Sequence, residues 1–187
     1  MITIMDNVVP TEIFKMAHQE VNKDIWSFSN MSTGQDLNVG FSAPIYCGEV
    51  NKLISEDKFN ESNIMYNLWN SINSKLDVEK NYNNKLGRIF LNGGPPLSDQ
   101  TVHRDDQVTY SKNITIVFFL HDRWEVAWGG ELLLYDISHS RVTGGVFPMP
   151  NRAAVFHSYL PHRGAPVSRI CPIMRISIAF QCVLNND

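Results

Sequence analysis

The chain has 187 residues, 43% hydrophobic and 19% charged, with a formal charge of −3 at pH 7 and a sequence pI near 6.0. These are the proportions of an ordinary globular protein long enough to bury a core, and they predict a single domain over 1–187. The weakly acidic balance argues against nucleic acid or an anionic membrane as partners. The longest strongly apolar run, "ITIVFFL", is too short to span a bilayer. The opening "MITIMDNVVP" has no basic n-region and carries Asp6 among its apolar residues, so it does not read as a secretion signal. Cys47, Cys171 and Cys182 are odd in number and form no CxxC pair, which predicts a reducing compartment, the cytoplasm.

The first part, about 1–80, is helical in pattern. Thr11 is placed to cap a helix in which Ile13, Phe14, Met16, Ala17 and Val21 recur at helical spacing. After a mixed stretch from Ser27 to Cys47, a second helix is predicted from Asn60 onward. Its stripe of Ile64, Met65, Leu68, Trp69, Ile72 and Leu76 is the face such a helix needs to pack on a sheet. The polar "DVEKNYNNK" reads as a solvated connection.

From Leu86 to about 184 the texture is that of strands. "LGRIFLN", "QTVHRDD", "NITIVFFL", "GELLLYD", "RAAVFH" and "RISIAFQCVL" are separated by "NGGPP", "WGG", "TGG", "PMP" and "PHRGAP". The glycine pairs beginning at Gly93, Gly129 and Gly144 read as turn glycines, because no G-x-G-x-x-G follows a strand. The fold class expected is α+β, mainly β: a sandwich, jelly roll or barrel with the N-terminal helices packed outside.

One strand-like stretch, "TVHRDDQVTY", contains an imidazole and two carboxylates. On a strand, His103 and Asp105 would share a face, with Asp106 on the other. One imidazole beside one carboxylate is either a surface pair or part of a metal site, and a metal site needs a third ligand from a distant strand. His18 lies in the first helix, and His121 and His139 sit in or beside predicted turns, where a solvated histidine is the plain reading. His157 and His162 of "FHSYLPHRG" are better placed. Farther on, "MRISIAF" puts Arg175 and Ser177 on one face of an apolar strand, and a buried arginine calls for an anion. Two imidazoles and one carboxylate on one face of an octahedral metal leave positions for a chelating 2-oxo acid and for O2.

At these residues the sequence resembles the Fe(II)/2-oxoglutarate-dependent oxygenases, in particular their prolyl-4-hydroxylase-like branch. "VHRDD" is similar to the HxD motif, and "TIVFFLHDRWEVAWGGELLLYD" to the segment that follows it. "PMPNRAAVFHSYLPHRGAPV" resembles the segment carrying the distal histidine, and "RISIAF" the closing strand with its 2-oxoglutarate arginine. The resemblance covers about Leu86 to Cys182 and implies a double-stranded β-helix, a distorted jelly roll holding iron at its mouth. It implies His103, Asp105 and His162 as metal ligands and catalytic centre, with His157 left as a core or pocket-lining residue. It implies Arg175 as the anchor for the far carboxylate of 2-oxoglutarate, assisted by Ser177.

The cofactors implied are Fe(II), 2-oxoglutarate as cosubstrate and O2, with ascorbate as a stimulant. The reaction implied is hydroxylation of an aliphatic C–H in an amino-acid or peptidyl substrate, a prolyl one included, with release of succinate and CO2. Alternatives are hydroxylation, desaturation or cyclisation of a small natural product, or a non-catalytic metal-binding sensor or scaffold on the same fold. Two departures stand out. Several prolyl hydroxylase relatives carry a tyrosine on the strand after HxD, where this chain has Phe118 and Phe119, leaving Tyr110 or Thr115 as substitutes. The gap from His162 to Arg175 is also long, with "VSRICP" as its extension. Arg169 reads as a loop or substrate-mouth residue, and Trp124 and Trp128 either line the substrate entrance or cover a sheet edge.

Overall fold

A computed structural model describes residues 2–30, 40–43, 59 and 63–185. In chain order its elements are β1 (Thr3–Met5), α1 (Thr11–Val21), β2 (Ser27–Asn30), β3 (Gly40–Ala43), α2 (Ile64–Leu76), α3 (Val78–Tyr82), β4 (Asn84–Gly94), β5 (Ile114–Phe119), β6 (Leu132–Tyr135), β7 (Val142–Val146), β8 (Ala153–His157), β9 (His162–Gly164) and β10 (Arg175–Leu184). Cys47 and the predicted helix start at Asn60 lie outside the described residues.

Seven strands form an antiparallel sheet in the order β1-β8-β5-β10-β4-β3-β2, and three form a smaller one, β7-β6-β9. Alternation along β5 decides what each face touches. Ile114, Ile116 and Phe118 join Ile89 and Leu91 of β4 and Ile176, Ile178 and Phe180 of β10 in a core shared with the helices. Val117 and Phe119 point the other way, into a second core with Leu132, Leu134 and Val146 of the smaller sheet. Two facing antiparallel sheets with helices on the outer face of the larger are the double-stranded β-helix, or jelly roll, expected from the strand pattern.

The helical stripe of α2 is buried as predicted, through Met65, Leu68, Trp69, Ile72 and Leu76. Each contributes about 1.5–3 kcal/mol by leaving water, and Trp69 lies 5.5 Å from the ring of Phe180. Asn63 caps this helix by accepting from the Met65 amide at 2.8 Å. In α1, Thr11 is the first helical residue and caps nothing; Pro10 precedes it without a side-chain bond, and Met16 turns to solvent. The segment predicted as a solvated connection instead forms α3, pinned by buried Val78, and then enters β4. There the buried Asn84 donates to Tyr82 O and Lys112 O and accepts from the Ile114 amide, tying β4 to β5.

Among the glycine pairs only Gly129–Gly130 is turn-like, with φ of 65° and 75°. Gly93 and Gly94 lie in β4, and Gly144 and Gly145 in β7. Among the described residues no helix is long and apolar enough to cross a membrane.

Candidate metal and cosubstrate site

His103 and Asp105 do not sit on a strand. Only His103 keeps a β-bridge, exchanging backbone hydrogen bonds with His162 at 2.9 and 3.0 Å. The chain then bends, because the amides of Asp105 and Asp106 both donate to Ser158 O. Asp106 is buried; its carboxylate accepts from the Val108 amide and from Asn113 Nδ2, each at 2.8 Å. It folds the loop that presents Asp105. His162, in the segment "PHRGAP" read between strands, opens β9 and pairs with Leu134 of β6.

This loop and β9 bring His103, Asp105 and His162 together, with one ligand atom from each lying within 4.8 Å of the others. Nε2 of His103 is 3.9 Å from Asp105 Oδ1, and Nε2 of His162 is 3.7 Å from Oδ2. The donor set fits a divalent transition metal by its tautomers. Nδ1 of His103 donates to Thr101 O at 3.0 Å and Nδ1 of His162 to Leu160 O at 2.9 Å. Each ring is thereby held with its Nε2 lone pair free and turned toward Asp105. Burial pushes the pKa of His162 down, which keeps that imidazole in the neutral form a metal requires.

Thr115 on β5 completes the arrangement by donating to Asp105 Oδ2 at 2.7 Å, with its Oγ1 also 2.9 Å from Ser158 Oγ. Its place in the structure is thus behind the carboxylate. Tyr110, the other proposed substitute for the family tyrosine, is exposed. Thr115→Val should leave the fold intact and weaken Fe(II) binding by about 10- to 100-fold, the usual cost of losing a partner behind a metal ligand; metal titration of the folded variant checks this.

Arg175 and Ser177 are both buried on the inner face of β10, as alternation predicted. Arg175 donates from Nε to Gly130 O at 2.7 Å and from Nη1 to Ser177 Oγ at 3.2 Å, and its guanidinium lies over Phe119 at 5.2 Å. Phe119 therefore serves as a platform for the arginine. A Cβ on Gly130 would come within 3.1 Å of Arg175 Cδ and of Trp124, so only glycine lets the backbone approach this closely. Nη2 has no hydrogen-bond partner among the described residues. Burial lowers the Arg175 pKa to about 10, opposed by the field of Glu131, so the side chain stays charged at neutral pH.

An open cavity of about 220 Å³ joins these groups, lined by His103, Asp105 and His162, by Arg175 and Ser177, and by Arg88 among others.

The remaining candidates lie elsewhere. His157 ends β8, stacks on Tyr159 and does not belong to the metal-ligand group. His121 corrects the expectation of a solvated turn: it is buried, held 2.6 Å from Pro148 O, and desolvation lowers its pKa to about 4. Trp124 and Trp128 are buried with Val167 and Cys171 in a small cluster beside Arg175 and do not line the cavity. Arg169 is exposed in a turn.

Residues 97–181 match the family model of the 2OG-Fe(II) oxygenase superfamily. No curated protein sequence matches the chain. Among solved structures it is similar to a prolyl hydroxylase from Trichoplax adhaerens in complex with a hypoxia inducible factor oxygen degradation domain peptide fragment. That likeness has 16% identity and a TM-score of 0.67, and covers 97% of this chain and 83% of that one. A prolyl-4-hydroxylase from Pseudomonas putida is 15% identical with a TM-score of 0.61, covering 98% and 92%. A 2OG-Fe(II) oxygenase family oxidoreductase from Burkholderia pseudomallei is 13% identical with a TM-score of 0.71, covering 97% and 84%.

Proposed function

We propose that the chain, whose residues 97–181 match the family model of the 2OG-Fe(II) oxygenase superfamily, is a 2-oxoglutarate-dependent dioxygenase using Fe(II), 2-oxoglutarate and O2, and that it hydroxylates an aliphatic C–H of an amino-acid or peptidyl substrate, releasing succinate and CO2. The observation that carries this reading is the convergence of His103, Asp105 and His162 with both Nε2 atoms left free. In the proposed roles these three hold Fe(II), and Arg175, steadied by Gly130 O and Ser177, takes the far carboxylate of 2-oxoglutarate.

When bound, the iron supplies the oxidising chemistry that couples loss of CO2 from 2-oxoglutarate to oxygen insertion. The protein's own residues do the rest. Thr115 fixes the orientation of the Asp105 carboxylate, and the Thr101 and Leu160 carbonyls fix both imidazoles. Val117 and Leu132 give the cavity apolar lining. Peptide binding is a property of the Trichoplax structure, and the prolyl hydroxylase likeness supports an amino-acid side chain as the class of substrate here. A single domain over 1–187, acting in the cytoplasm without nucleic-acid or membrane partners, accords with the weak negative charge and the free Cys171 and Cys182.

Because Asp105 supplies a carboxylate where a halide would have to sit, turnover in high chloride should yield only oxygenated, desaturated or cyclised product, with one succinate per substrate oxidised. Mass spectrometry of the products tests this. A chlorinated product, or substrate oxidation without succinate, would contradict it.

A further inference from the structure

Arg88 is a second cation of the cavity, far from Arg175. On paired strands β4 and β10, Arg88 stands opposite Gln181 and Arg175 opposite Gly94. Arg88, Phe90 and Asn92 of β4 and Arg175, Ser177, Ala179 and Gln181 of β10 all line the same cavity. The run of strand from Arg175 to Gln181 places the two arginine positions about 20 Å apart along the sheet. A dicarboxylate as short as 2-oxoglutarate, held between Arg175 and the metal ligands, cannot also occupy Arg88.

Nor does any described residue pair it. Nε of Arg88 is shielded from solvent without a partner, and the guanidinium forms no hydrogen bond or ion pair with a described residue. It lies instead over the Phe90 ring at 4.9 Å, which steadies the fork without using its N–H groups. Among the described lining residues Asp105 is the one carboxylate, set against Arg88, Arg104 and Arg175. Arg104 already donates to Ile137 O. A shielded Nε–H without a partner is costly unless an acceptor meets it. Asp105 also shares the small adjoining cleft with Arg88 and Gln181, so this arginine flanks the reacting centre.

We propose that Arg88 receives a carboxylate of the prime substrate, so that the molecule oxidised is a free amino acid or similar small carboxylic acid and not a residue inside a longer chain. The proposal rests on the reading of the metal and cosubstrate site given above. A single planar fork beside the amide of Gln181 suits a planar carboxylate.

The test uses the full chain loaded with Mn(II) in place of Fe(II) and saturated with 2-oxoglutarate, with benzoate as the probe. Mn(II) speeds the relaxation of probe protons that dwell near it. Benzoate protons should be relaxed and benzamide protons should not. Arg88→Gln should weaken benzoate binding by roughly 10- to 100-fold, with Arg88→Lys in between, while 2-oxoglutarate affinity, measured separately, stays at the wild-type value in both. Equal relaxation of benzoate and benzamide would overturn the proposal. So would benzoate binding that is absent from the wild type, unchanged in Arg88→Gln, or weaker than that of phenyl phosphate. Failure of the wild-type protein to bind Mn(II) and 2-oxoglutarate would instead overturn the underlying reading of the site, and the proposal with it.

Discussion

Replacing His162 with alanine is expected to abolish Fe(II) binding and turnover, whereas replacing His157 leaves both in place. The two histidines lie close in sequence, but the fold separates their roles. His162 is buried at the start of β9, bridged to His103 through the backbone, with its Nε2 3.7 Å from Asp105. His157 ends β8, opposite Ile114, and stacks on Tyr159 away from the carboxylate. Losing a residue behind a metal ligand costs about 10- to 100-fold in metal affinity, and losing the ligand itself costs more. His103→Ala and Asp105→Ala should behave as His162→Ala does. Iron content per chain decides the matter. Iron retained in His162→Ala and lost in His157→Ala would reverse the assignment.

The second large effect is expected at Arg175. Glutamine there keeps a polar side chain but removes the charge and the bidentate fork. Removing one partner of a desolvated charge pair costs about 2–5 kcal/mol, equivalent to roughly 30- to several-thousand-fold in 2-oxoglutarate affinity. Iron binding should stay near normal, because Arg175 contacts Gly130 and Ser177 and none of the three proposed ligands. Arg169→Gln, at an exposed turn, should change neither quantity. A 2-oxoglutarate affinity that survives Arg175→Gln and collapses in Arg169→Gln would move the anchor to Arg169.

The parts of this site legible in the sequence were those carried by alternation and by ordered motifs. In "MRISIAF" a period of two put Arg175 and Ser177 on one face and Ile176 and Ile178 on the other, as the buried strand has them. The stripe of α2 was legible for the same reason at helical period. "TVHRDDQVTY" misled because its β-branched residues speak for a strand, while buried Asp106 captures the Val108 amide and turns the chain. At its end Tyr110 adopts a φ of 64°. Tertiary hydrogen bonding overrode local propensity there.

His121 was misplaced because its burial comes from Trp124 and the Pro148 carbonyl, neither of which local polarity reveals. Strands β1 and β9 are short, and each exists only through a partner distant in sequence. Two signals were present and unread. Thr115 is the lone hydroxyl in the fully buried "ITIVFF", and a buried hydroxyl needs a partner, which is Asp105. Arg88 interrupts "LGRIFLN" at the parity that β4 turns toward the cavity.

The claim that His103, Asp105 and His162 hold iron so that 2-oxoglutarate can chelate it is tested most directly by anaerobic titration of the Fe(II)-loaded protein with 2-oxoglutarate. A weak visible charge-transfer band should grow to saturation at one equivalent of iron per chain, be absent from Asp105→Ala, and require far more 2-oxoglutarate in Arg175→Gln. No band in the wild-type protein, or an unaltered band in Asp105→Ala, would contradict it.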